Sequence, residues 1–193
     1  MTLLIPYAGL QATPWKNGGG STTEIAIAPA GAGFSDFDWR LSLATISADG
    51  PFSVFPGVDR TLALVDGPGA TLDFGGGRRM ALDEDTPQIE FGGESEVQAT
   101  LAGAASTDMN VMTRRARCSH RLGRRSLAGI SEFAPRGDVT VLFLAEGESL
   151  AASSDGERIG MVRYDALVFD REAVWTLEAG LATVLVVDIF FHK

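Results

Sequence analysis

The residues of this chain best suited to chemistry are arginines and asparagines set into apolar runs. In WRLSLATI, Trp39–Ile46, the two-residue period of a strand puts Arg40, Ser42 and Ala44 on one face. A buried arginine needs a partner, so Arg40 either lines a cavity or points to water from an edge strand. In MNVMTRR, Met109–Arg115, the same period groups Asn110, Met112 and Arg114. GPFSVFPGVDR, Gly50–Arg60, carries Pro51, Pro56 and Gly57, and so reads as a rigid loop anchored by Phe52 and Phe55 that delivers Arg60 to the next strand. WKNGGGST, Trp15–Thr22, has three consecutive glycines beside Trp15 and Asn17. That pattern suits a backbone with positive φ, a close approach, or a flexible hairpin turn. It lacks the spacing of a phosphate-binding Walker loop. Guanidinium forks of this kind suit carboxylates, because they bind both oxygens at once.

Other chemistry is poorly supplied. The chain has one cysteine, Cys118, and two histidines, His120 and His192. An internal disulfide, a cysteine-based zinc site and a three-histidine metal centre are therefore impossible within one chain. No G-x-S-x-G elbow is present. Cys118 and His120 could share a strand face, but no third group orients them. The net charge of −9 argues against a nucleic-acid partner. The arginines after Arg115 (Arg117, Arg121, Arg124 and Arg125) read as a solvated face with acidic neighbours. No stretch approaches the ~20 apolar residues of a membrane span. The expected setting is cytoplasmic, with no membrane partner.

The elements that must hold these residues are strands. Of 193 residues 45% are hydrophobic, which supports a real core, and the 23 glycines favour many tight turns. Short Val, Ile, Leu, Phe and Thr runs bounded by Gly, Pro, Asp or Ser recur at 22–28, 38–46, 61–65, 71–74, 96–101, 109–113, 139–144, 158–162, 166–169 and 183–190. The spacing is too short for βαβ units, so the fold class expected is all-β, a sandwich or barrel. LALVDG, ending at Gly67, and VLFLAEG, ending at Gly147, lie 80 residues apart and begin a weak but ordered strand repeat. A duplication would give two small β units, at 1–115 and 116–193, joined near 115–138. The first carries the polar chemistry. The second is aliphatic, and its strands VTVLFLA and ATVLVVDIFF suggest a homodimer.

WKNGGGSTTEI from Trp15, WRLSLA at Trp39, GPFSVFPGVDR at Gly50 and MNVMTRR at Met109 together resemble the HutD/Ves family. The resemblance implies a bicupin, two tandem cupin-type jelly-roll barrels, which accords with the repeat. It also implies an association with histidine utilisation through binding of a small pathway metabolite, plausibly N-formylglutamate. Cupins usually hold a metal through H-x-H-x(3,4)-E-x(6)-G. Counted back from Gly67, those ligand positions fall on Ser53, Phe55 and Arg60, none of which holds a divalent metal well. No cofactor is expected. The arginine inverts the charge of the centre, so the expected partner is a small anionic metabolite. The candidate ligand-binding set in the first barrel is Trp15, Asn17, Glu24, Arg40, Ser42, Phe52, Arg60, Asn110, Met112 and Arg114. Glu24 matches a family position; it would pair an arginine or act as a base. A non-catalytic binder that moderates the pathway is favoured over a metal-free isomerase or hydrolase. Elemental analysis of untagged protein should find far less than one zinc, iron or manganese per chain.

Overall fold

The structure is a computed structural model that describes residues 2–169 and 173–193. Its only helical turn among those residues is a short one at Tyr7–Gly9; everything else regular is strand. The chain divides into two compact units, one of Met1–Leu10 with Ser119–Lys193 and one of Gln11–Cys118. The first unit expected from the sequence, 1–115, includes the N-terminal residues. In the structure β1 (Thr2–Ile5) pairs instead with the late strand β16 (Ala166–Phe169).

The Gln11–Cys118 unit has two sheets. The larger one is built from β2 (Ala12–Pro14), β3 (Gly20–Ala28), β4 (Trp39–Ile46), β6 (Val58–Asp66), β9 (Gln88–Gly92) and β11 (Ser106–Arg114), in the order β2-β3-β4-β11-β6-β9. The smaller has the order β5-β10-β7-β8, from β5 (Gly50–Pro51), β7 (Ala70–Asp73), β8 (Arg79–Leu82) and β10 (Gln98–Leu101). All pairings are antiparallel, so directly opposed residues project on the same side. The two sheets share an apolar core in which Leu62, Leu64, Ile89 and Phe91 meet Ala70, Leu72, Leu82 and Ala99.

The glycine run has a steric cause. Gly18 takes a positive φ of 72°, and a Cβ on Gly20 would lie 2.2 Å from the Thr45 carbonyl oxygen. The Asn17 side chain accepts a hydrogen bond from the Gly19 N–H at 3.0 Å and so closes the turn.

The other unit contains β12 (Cys118–Phe133), β13 (Val139–Glu146), β14 (Ser149–Ser154), β15 (Glu157–Val162), β16 and β17 (Trp175–Phe191). Most of them form the path β1-β16-β13-β17-β14-β15, with β12 also on β17. The segment expected to join two units is thus largely strand. In β12, Arg121, Arg124 and Arg125 fall irregularly among Leu122, Gly123 and Ser126, which hides the strand period in the sequence. The apolar excess of VTVLFLA is used inside the protein: Val141, Leu142, Phe143 and Leu144 are all fully buried.

Candidate functional site

Three rows of side chains cross the inner face of the larger sheet in the Gln11–Cys118 unit. The first holds Ile27, Arg40, Met112, Arg60 and Phe91; the second Glu24, Ser42, Asn110, Leu62 and Ile89; the third Thr22, Ala44, Asp108 and Leu64. Toward β6 and β9 the rows are apolar and join the core. On β4, β11 and the start of β6 they are polar. Arg40 and Arg60, each 6% exposed, stand on either side of the fully buried Met112.

The two arginines differ in company. Arg40 donates through Nε to the Glu24 carboxylate at 2.8 Å and through Nη1 to Ser42 Oγ at 3.4 Å. Its guanidinium lies 5.0 Å from the Phe34 ring centre. Arg60 donates through Nε to Asn110 Oδ1 at 3.4 Å and through Nη1 to the Ser53 carbonyl at 3.2 Å. It lies 5.0–5.6 Å from the ring centres of Phe52, Phe55 and Phe91. Among the described residues no carboxylate reaches ion-pair distance of Arg60, and Nη2 of both arginines donates to no protein acceptor. Burial lowers the Arg60 pKa to about 10; nearby Asp108 opposes that shift and Arg40 adds to it. Arg60 therefore stays cationic at neutral pH.

Asp108 completes the polar patch and was not among the sequence candidates. It is buried, and its Oδ1 has no hydrogen-bond partner. Burial pushes its pKa up to about 7, with Arg60 pulling the other way.

Of the sequence candidates, Glu24, Arg40, Ser42, Phe52, Arg60, Asn110 and Met112 converge here. Trp15 donates its indole N–H to Thr22 Oγ1 at 2.7 Å, which places it at the third row. Asn17 is exposed and engaged in its own turn. Arg114 donates to the carbonyls of Phe37 and Ser35 at 3.0 and 2.8 Å. It thereby fixes the loop that carries Phe34. Phe34 and Phe55 meet with ring centres 6.0 Å apart, one over each arginine. Beside them opens a recess of about 360 Å³, lined by both rings, Ser35, Val54, Pro56, Val58 and Arg114. Cys118 is buried, and burial raises its thiol pKa to about 11, so it supplies no thiolate at neutral pH. Among the described residues no group of three or more His, Cys, Asp or Glu side chains is placed to hold a metal.

The HutD family profile matches residues 7–186. The chain belongs to the HutD family. It is 36% identical to Protein Ves of Citrobacter koseri over 146 residues, 74% of each chain. It is also 36% identical over 157 residues to a Pseudomonas putida protein described as lying in the hutC 3′ region, covering 80% of this chain and 79% of that one. HutD of Pseudomonas fluorescens SBW25 superposes with a TM-score of 0.82 at 26% identity over the full length of both chains. A conserved protein of Pseudomonas aeruginosa PAO1 superposes with a TM-score of 0.89 at 30% identity, covering 98% of this chain and 99% of that one. At the level of fold alone the likeness extends to cupin-type enzymes such as salicylate 1,2-dioxygenase of Pseudoaminobacter salicylatoxidans. There the TM-score is 0.66 at 9% identity, over 97% of this chain and 80% of the enzyme.

The raised Asp108 pKa has a consequence for stability. A carboxyl that is harder to ionise when folded costs stability as pH rises from its ordinary range near 4 toward 7. The folded state then binds the extra proton, and each pH unit in that window costs up to about 1.4 kcal/mol. In thermal unfolding between pH 4.5 and 8, Asp108→Asn should remove this fall. Parallel pH curves for wild type and variant would show that Asp108 titrates normally.

Proposed function

We propose that the Gln11–Cys118 unit of this HutD family member binds a small dicarboxylate without turning it over. Through that ligand the protein moderates histidine utilisation. The observation that carries the reading is Arg60, a buried guanidinium whose contacts are neutral oxygens and aromatic faces, with no counter-ion. A buried charge in such company is completed by an incoming anion. Arg40 flanks it with an unengaged Nη2, so two guanidiniums are available to two carboxylates. Asn110 and Ser42 supply polar groups for an amide or formyl oxygen, and the phenylalanines exclude water. Glu24 is committed to Arg40, which leaves it poorly placed to act as a base.

N-formylglutamate, with two carboxylates and a formamide, is the first ligand to test. The hutC neighbourhood of the Pseudomonas putida relative and the HutD name of the Pseudomonas fluorescens structure favour a histidine-pathway metabolite. In calorimetry at pH 6, Arg60→Ala should weaken binding about 10- to 150-fold, from a charge-assisted hydrogen bond of roughly 1.5–3 kcal/mol. Arg60→Lys should restore only part of it, because the fork is lost. Arg125→Ala, in the other unit, should bind as wild type. Equal affinity in wild type, Arg40→Ala and Arg60→Ala would place the site elsewhere. Measured turnover of the ligand would replace the binder with an enzyme.

In this reading each unit is one small barrel of a tandem cupin pair, and the protein works in the cytoplasm. The exposed side chains of Ile130, Val162, Val174 and Leu181 in the other unit meet a second copy. Light scattering at tens of micromolar should give a dimer mass, and a monomer mass would remove that part of the proposal.

A further inference from the structure

Asp108 is a carboxyl placed inside an arginine site without being bonded to it. It lies in the row after Asn110, on the same face as both guanidiniums. It is 2% exposed, and Oδ1 has no partner. It is too far from Arg60 for an ion pair, yet each alters the other's ionisation. An ionised Asp108 would thus offset part of the positive field that draws a ligand to Arg60, while gaining no hydrogen bond at Oδ1 in return.

We propose that Asp108 is an internal competitor for the arginines, so that a small carboxylate enters this site together with a proton that Asp108 takes up. The inference rests on the anion-binding reading of the same site. The logic is electrostatic. Arg60 is the neighbour that favours the ionised form of Asp108, against its burial. A carboxylate seated on Arg60 cancels that support and adds a like charge nearby, and both effects drive Asp108 to its neutral acid. The other charged groups on this face are Arg40 and Glu24, already paired with each other. Across the core, β7 and β10 present Ala70, Leu72 and Ala99, which carry no charge. Residues 11–118 contain no histidine and no tyrosine. Asp108, buried beside Arg60 and with its pKa pushed up to about 7, is therefore the carboxyl of this face placed to take up a proton near neutral pH. The linkage makes the site selective for acidic conditions: the free protein is ready at pH 6 and must protonate Asp108 at pH 8.

The test is calorimetry with N-formylglutamate and, separately, glutarate between pH 5.5 and 8.5. Each titration is run in buffers of different ionisation enthalpy to count protons. In wild type the Kd should be flat below about pH 6.5 and rise about tenfold per pH unit above 7, with close to one proton taken up per ligand at pH 8. Asp108→Asn, a neutral group of the same shape, should bind with no pH slope and no proton uptake. Binding that is lost in Arg60→Ala but is flat with pH in wild type would overturn the role of Asp108 and leave the anion site standing. A pH slope that persists in Asp108→Asn would do the same. Binding of neither ligand at pH 5.5 would overturn both. A further measurement needs no variant: the carboxyl carbon resonance of Asp108, followed by NMR in the ligand-free protein, should titrate near pH 7. A midpoint near 4 would overturn the proposal by itself.

Discussion

A guanidinium buried with no carboxylate at ion-pair distance among the described residues is the constraint on which the Gln11–Cys118 unit depends. Removing a charge from water costs several kcal/mol even after relaxation, and two neutral hydrogen bonds recover only part of that. Arg60 meets the deficit with what surrounds it: the Asn110 amide oxygen, the Ser53 carbonyl and three phenylalanine faces. These come from three places in the chain: the 52–55 loop, β9 and β11. Holding them around one cation requires the register in which Arg60 faces Met112 on one side and Phe91 on the other. A slip of one residue would turn Arg60 outward and carry Leu62 and Leu64 out of the core with it.

One alternating pattern thus serves two purposes. Along β6 the inward positions pass from Arg60 to Leu62 and Leu64, from the polar patch to the apolar core, with no break in the strand. Met112 and Phe91 stand at the boundary. They help to deny water to the cluster, and the Phe34 and Phe55 rings stand over Arg40 and Arg60. Low local dielectric is what makes such a cluster responsive, because the interaction between Arg60 and Asp108 is only weakly screened.

How far the sequence revealed this can be followed residue by residue. Alternation alone put Arg40 with Ser42 and Asn110 with Met112, and the registers place those pairs opposite one another. Asp108 obeys the same alternation but lies outside the expected strand. The expected strand began at Met109, whereas β11 begins at Ser106, so an error of three residues in a strand boundary cut off the carboxyl. Phe34 left no signal, because its place over Arg40 depends on a loop whose path is fixed by Arg114, eighty residues away in the chain. Parity alone groups Arg114 with the site. At the strand end its side chain reaches the Ser35 and Phe37 carbonyls, beside the recess that it helps to line. Asn17 sits beside a conspicuous glycine run, but that run answers to the Thr45 backbone, and the amide serves the turn.

The family resemblance located three positions, Ser53, Phe55 and Arg60, where a metal-binding cupin would carry its ligands. In the structure those three positions do converge, and on one centre. Ser53 offers its backbone oxygen to the Arg60 guanidinium, and Phe55 offers its ring face. Both are electron-rich partners of the kind a cation wants. The arrangement keeps the logic of a metal centre, donors gathered around a positive charge, but the charge is covalently part of the chain. A bound divalent ion can exchange ligands and act as a Lewis acid. A guanidinium has no vacant orbital to do so, and what it offers is a planar pair of N–H donors with fixed geometry. An arginine in the place of the acidic ligand therefore gives this inner face directed N–H donors where a metal would give a Lewis acid.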